Sequence, residues 1–474
     1  MKHEENQIPF GWAIIPLIVM ITAMSFTIVV FGGDPHIPLI LGTFVSALIA
    51  WKCGFSWQKI EEGLYKGIRL ALPAIVIIIM VGIIIGAWIG GGIIATMVYY
   101  GLKLISPSLF LVSITIIAAI VSLAIGSSWS TMGTIGVAGM GIGLSMGIPA
   151  PMIAGAIISG AYFGDKMSPL SDSTNLAAGV VGVDLFEHIK HMFYTTIPGL
   201  IIALVVYWFL GRKFSTTSIE DGHIADTMTQ LQTNFVITPW LLLVPAIVIL
   251  LVAKKVPALP ALTIGVILGF LAHVLVQGGA IDDAINTLQG GFSIESGNEM
   301  IDSLFNRGGI DDMMYTVSLT IVAMTFGGVL ENTGMLKAIV DQILKVAKTG
   351  KGLLTTAISS AFLTNVAAAE QYISVVVPGR MYVQSFREKR LHPKNLSRAV
   401  EDGGTLTSVF VPWNTCAIFI FATLSVHPLE YAPYAILNLV VPFISLIYAW
   451  TGFSITPLSN EEYKKMDEED RKAI

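Results

Sequence analysis

The residues able to do chemistry in this chain are concentrated in two polar runs set inside apolar sequence. The first reads Gly164-Asp165-Lys166-Met167-Ser168-Pro169-Leu170-Ser171-Asp172-Ser173-Thr174-Asn175. The second opens with Glu401-Asp402-Gly403-Gly404-Thr405-Leu406-Thr407-Ser408 and resumes at Pro412-Trp413-Asn414-Thr415. Carboxylates, hydroxyls and amide oxygens are hard ligands suited to a small cation, and carboxylates also exchange protons. Asp165 and Asp172 are the expected exchanging groups. Ser171, Ser173, Thr174 and Asn175 would add neutral oxygens, as would Asn414 and Thr415 from the second run, and Ser168, Asp402 and Thr405 are further expected binding residues. Lys166 would neutralise Asp165 or Asp172. Two further clusters, Ser127, Ser128, Ser130 and Thr131 in one half and Thr364, Asn365, Glu370 and Gln371 in the other, also interrupt apolar sequence. Glu370 is the carboxylate of these clusters and a second expected proton carrier.

What must position them is a set of long apolar segments. Uninterrupted ones fall at about 10–31, 36–53, 69–90, 193–211, 239–253, 256–276, 313–332 and 429–453. About 20 such residues cross the hydrocarbon of a bilayer. The segments 151–181 and 396–427 contain the two polar runs, and polar non-helical backbone survives at membrane depth only where protein or water satisfies it. Pro169, Gly403-Gly404 and Pro412 give those breaks a covalent cause. These two are expected to be broken helices, and 108–147 and 352–382 to be re-entrant hairpins. The short stretches 92–104, 183–192 and 334–348 read as interfacial helices, with His188 and His191 at the solvent or headgroup level.

Composition agrees. Of 474 residues, 54% are hydrophobic and 12% charged, with mean hydropathy +0.75. Soluble domains carry about 25% charged residues, so a soluble globule is excluded. So are a disulfide scaffold, with two cysteines, and a nucleic-acid binder, which wants a basic face. The elements recur in order, with glycines matching at an offset of 240 through the breaks and 242 upstream. Five crossings per half would force the second half to be inverted. That arrangement puts 22 of the 27 Lys and Arg on one side, which the positive-inside rule makes cytoplasmic, together with both termini. The expected fold is an all-α polytopic membrane protein: an inverted repeat of five transmembrane helices plus one re-entrant hairpin in each half. Its parts are a first repeat (1–211), an extracellular connection (212–237), a second repeat (238–453) and a cytoplasmic tail (454–474).

The run from Gly164 to Ala177 resembles the signature of the NhaC family of Na+/H+ antiporters, and the second run resembles that family's second-half motif. The likeness extends over nearly the whole chain in length and order of elements. It implies a cell-membrane secondary transporter exchanging Na+ for H+ by alternating access, with Asp165, Asp172, Asn175 and Asn414 as ligands of the transported Na+. The family also includes malate/lactate antiporters coupled to Na+ and H+. For those, hydroxyl donors such as Ser127, Ser128 and Thr131 would receive the organic anion. The partners implied are the lipid bilayer, Na+, H+ and, in the alternative, malate or lactate. No cofactor, nucleic acid or enzymatic step is expected, and assembly as a homodimer is left open.

Overall fold

A computed structural model describes residues 8–216, 221–254, 256–345, 349–459 and 462–463. Among these the secondary structure is helical throughout. The helices that position the site are α1 (Phe10–Ile28), α2 (His36–Lys52), α3 (Trp57–Gly90), α4 (Ile93–Leu104), α5 (Phe110–Ile125), α6 (Ser128–Thr131) and α7 (Val137–Ser145). They continue with α8 (Ala150–Met167), α9 (Asp172–Val181), α10 (Leu185–Gly211), α11 (Leu243–Ala253), α12 (Ala258–Leu275), α13 (Gly309–Asn332) and α14 (Met335–Leu344). The last are α15 (Gly350–Ala368), α16 (Gln371–Glu388), α17 (Pro393–Gly403), α18 (Thr415–Leu424) and α19 (Ile436–Thr451). Six helices among the described residues are long and apolar enough to cross a membrane, and nine if each sharply bent pair is one span. α2, at 17 residues, reaches only ~26 Å at 1.5 Å per residue. The protein is a multi-pass membrane protein. Lys2, Lys255, Lys348, Lys464, Lys465, Arg471 and Lys472 of the charge count lie outside the described residues, as does most of the 454–474 tail.

Both hairpins form. A Cβ on Gly139 would sit 2.7 Å from Ile114, and one on Gly143 would sit 2.7 Å from Phe110, so α7 returns antiparallel along α5. In the second hairpin the hydroxyls of Ser360 and Tyr382 meet at 2.9 Å across α15 and α16. Each tip has the same construction: a left-handed residue (Gly126, Ala369), then an extended N-cap (Ser127, Glu370), then the return helix.

These tips lie 243 residues apart, and so do other capping positions. Pro149 and His392 start α8 and α17, Ser171 and Asn414 cap α9 and α18, and Gly182 and Ser425 end those helices in the left-handed conformation. Packing follows the same offset. A Cβ on Gly160 would lie 2.2 Å from the carbonyl oxygen of Thr115, and one on Gly403 would lie 2.5 Å from that of Ile358. The offset of 240 expected through the breaks is therefore three residues short. The glycines it matched play different parts, because α8 runs 18 residues before a break at 168–171, whereas α17 runs 11 before a longer break at 404–414.

Two more expectations are corrected. Residues 183–192 do not form a separate interfacial helix. Asp184 accepts from the amides of Phe186 and Glu187 and starts α10, which continues unbroken to Gly211. His188 and His191 are buried rather than solvated.

α3 and α13 pack closely through small residues, as membrane helices do when backbone approach replaces the hydrophobic effect. A Cβ on Gly67 would fall 1.9 Å from the carbonyl oxygen of Met324, and one on Gly82 would fall 2.4 Å from that of Gly309. The pairing is antiparallel. It is also reciprocal: adding 242 carries Gly67 onto Gly309 and Gly82 onto Met324.

Candidate functional site

Local rules bring the first set of polar groups together. Gly160 and Gly164 let α8 lie directly on the α5 backbone, where a Cβ on Gly164 would sit 2.3 Å from the carbonyl oxygen of Ala119. This places Asp165, one residue on, against the first hairpin tip. Ser128 donates its amide (3.1 Å) and its hydroxyl (2.6 Å) to Asp165 Oδ2. Hydrogen bonds to an ionised acceptor are the strong ones, so the tip is latched to the broken helix by a carboxylate.

The second tip is held in a corresponding way. Thr415 donates its hydroxyl to Glu370 Oε2 at 2.6 Å and its amide to the carbonyl of Ala369 at 3.0 Å. Glu370 Oε1 accepts from the Tyr372 amide at 3.3 Å, capping α16. Cys416 donates its thiol to Gln371 Oε1 at 2.8 Å.

Between the tips lies a cavity of about 600 Å³. It takes in Ser127, Ser128 and Trp129 from one tip, Glu370, Gln371 and Tyr372 from the other, and Asp165, Asp172 and Ser173 from the first break. Cys416 contributes wall, together with one face of α3 at Leu70 to Ile77 and the α11–α12 turn. Asp165 and Glu370 are 8% and 6% exposed, whereas Asp172 is open to the cavity and its carboxylate has no hydrogen-bond or ion-pair partner among the described residues.

The remaining expected site residues serve the breaks themselves. Ser168 accepts from the Leu170 amide, Ser171 caps α9, and Asn175 donates to the carbonyls of Pro169 and Ser171. Thr131 donates to the carbonyl of Ser127. Asn414 caps α18 and donates to Asn365 Oδ1 at 3.0 Å, and Asn365 donates to the carbonyl of Gly404.

Lys166 pairs with neither Asp165 nor Asp172. It leaves α8 in a different direction and forms an ion pair with Asp402 of the second broken helix, both side chains fully buried. Beside it the Glu401 carboxylate accepts from His188 at 2.7 Å and from Thr174 at 3.2 Å, while Thr174 also donates to the Lys166 carbonyl at 3.1 Å. Ser397 holds the other His188 nitrogen at 2.8 Å. Glu401 and Asp402 are thus buried at the crossing of the two broken helices. The Thr405 hydroxyl and Asp402 Oδ2 are buried without a partner among the described residues. Sequence spacing missed this division because it shows which residues share a run, not which face of a helix each takes.

Carboxylates around a cavity where two hairpin tips and a helix break meet, in a polytopic helical chain, are the construction of a secondary transporter. The Na+/H+ antiporter family model matches residues 160–453, and the chain belongs to that family. It is 36% identical over 452 residues to the Na(+)/H(+) antiporter NhaC of Alkalihalophilus pseudofirmus, covering 95% of this chain and 97% of that one. It is 37% identical to the malate-2H(+)/Na(+)-lactate antiporter of Bacillus subtilis (97% and 99% covered). It is 34% identical to the arginine/ornithine antiporter ArcD of Halobacterium salinarum (97% and 95% covered).

Proposed function

We propose that the protein exchanges Na+ for H+ across the cell membrane by alternating access, and that its role is transport rather than catalysis. The observation that carries this is the meeting of Asp165, Asp172 and Glu370 on one cavity. Asp172, unpartnered, offers the first carboxylate to an arriving cation. Asp165 and Glu370 carry hydroxyl donors that a cation or a proton would displace or reorient, and Ser127, Ser128 and Ser173 add neutral oxygens. Charge in a partly dry site favours either a bound cation or protonation, so Na+ and H+ would take turns on the same groups. The Lys166–Asp402 pair keeps the two broken helices together while the tips move.

The recurring caps and the antiparallel α3–α13 pairing support two inverted halves. The charge bias supports cytoplasmic termini, and the cavity then faces the cytoplasmic α11–α12 turn. The organic-acid reading rests on kinship to the malate/lactate antiporter. Of its expected donors, both of Ser128 serve Asp165 and Thr131 bonds the Ser127 carbonyl, while Ser127 lines the cavity. Reconstitution in liposomes with an imposed pH gradient tests the assignment. Proton flux on adding Na+, and none with malate or lactate alone, is the expected outcome; flux with an organic acid but not with Na+ would overturn it.

A further inference from the structure

Three features of the cavity do not follow from a site for a bare ion. The first is size: about 600 Å³ lies within the ~300–1,000 Å³ of pockets that hold small molecules. The second is charge distribution. Asp165, Asp172 and Glu370 all line it, yet no Lys, Arg or His does among the described residues. The nearby Lys166 is spent on Asp402. The three carboxylates are also spread around the walls: among the described residues, no three acidic, His or Cys side chains converge as a metal shell. The third is aromatic surface. Tyr372 is 46% exposed at the cavity, and Trp129, stacked on Phe419 at 4.3 Å, forms another wall.

A dispersed set of negative charges with aromatic faces between them suits an elongated organic cation. Ammonium or guanidinium ends would meet carboxylates, and the chain or planar group would lie over an aromatic ring. A carboxylate on the same ligand would meet like charge, with no cation among the described lining residues to offset it. We propose that the cavity binds a small organic dication of the diamine or aminoguanidine class, in competition with Na+, and disfavours ligands bearing a carboxylate. This rests on the cavity being the transport site.

The test uses a pair of nearly equal size. Agmatine carries a guanidinium and an ammonium; arginine carries the same groups plus a carboxylate. The purified protein in detergent, at constant ionic strength in KCl, is titrated with each while thermal unfolding is followed. In proteoliposomes the half-saturation of Na+-dependent proton flux is measured with each present. Agmatine should raise both the unfolding temperature and the Na+ half-saturation, with arginine at least about tenfold weaker, a difference of ~1.4 kcal/mol, and malate inert. Tyr372→Leu should weaken agmatine by about the same factor.

Normal Na+/H+ exchange with no effect of agmatine overturns the inference and leaves the function standing. Arginine or malate acting as well as agmatine also overturns it. If Na+ drives no proton flux, the proposed function falls, and the unfolding titration alone decides: agmatine stabilising more than arginine supports the dication site, and equal or absent stabilisation ends it.

Discussion

At the scale of the residue, the two broken helices divide charge between an open task and a closed one. Asp172 faces the cavity without a partner, so Asp172→Asn should fold normally. Its Na+-dependent proton flux should fall by at least about tenfold, since even ~1.4 kcal/mol of lost ion binding has that effect. Asp402 faces a buried ammonium. Asp402→Asn leaves Lys166 uncompensated, and breaking such a pair costs about 3–5 kcal/mol. Thermal unfolding in detergent should show a large destabilisation for Asp402→Asn and little for Asp172→Asn. Replacing Lys166 and Asp402 together by Met and Leu should recover much of the loss. Sequence reading placed the Lys166 partner within its own run, because a run shows neighbours along the chain and hides the neighbour across a helix crossing 236 residues away.

At the scale of the element, glycines decide where the chemistry sits. Gly164 holds α8 on the α5 backbone with no room for a Cβ. Gly164→Ala should push the helices apart, break the Ser128–Asp165 hydrogen bonds and cost about 1–3 kcal/mol of stability. Gly179→Ala, where a Cβ would meet nothing within 4 Å, is the matched control and should be close to neutral. Unfolding temperature and Na+ half-saturation of the two variants check this. Much of this level was legible beforehand. Apolar length gave most of the spans, and polar interruptions gave both hairpins and both breaks. The recurrence of capping positions was visible in outline but not in register: Gly and Asn are common at many kinds of position, whereas the left-handed caps at Gly126 and Ala369 show only once backbone angles are known. Asn365 joining the second tip to the second break was similarly hidden, since nothing along the chain indicates that it donates to Gly404.

At the scale of the whole molecule, the shared cavity makes a pH-dependent prediction with a definite sign. On the proposed function, protons and Na+ compete for the same groups of the cavity. Acidification protonates carboxylates and removes Na+ ligands, so the Na+ half-saturation should rise as pH falls from 9 to 6; a flat profile would separate the two sites. Orientation is checked with single cysteines at the exposed Ser293 and Lys389, in a background lacking Cys53 and Cys416. An impermeant thiol reagent should reach the first from outside intact cells and the second only from inside. Labelling of both from one face would remove the inversion. The α3–α13 contact has a consequence for the origin of the chain. Gly67 against Met324 and Gly82 against Gly309 are one contact made twice, once in each direction. Two separate copies of a single half, lying antiparallel, would make both at once. On the inverted-repeat reading, a single half would carry both surfaces of this contact.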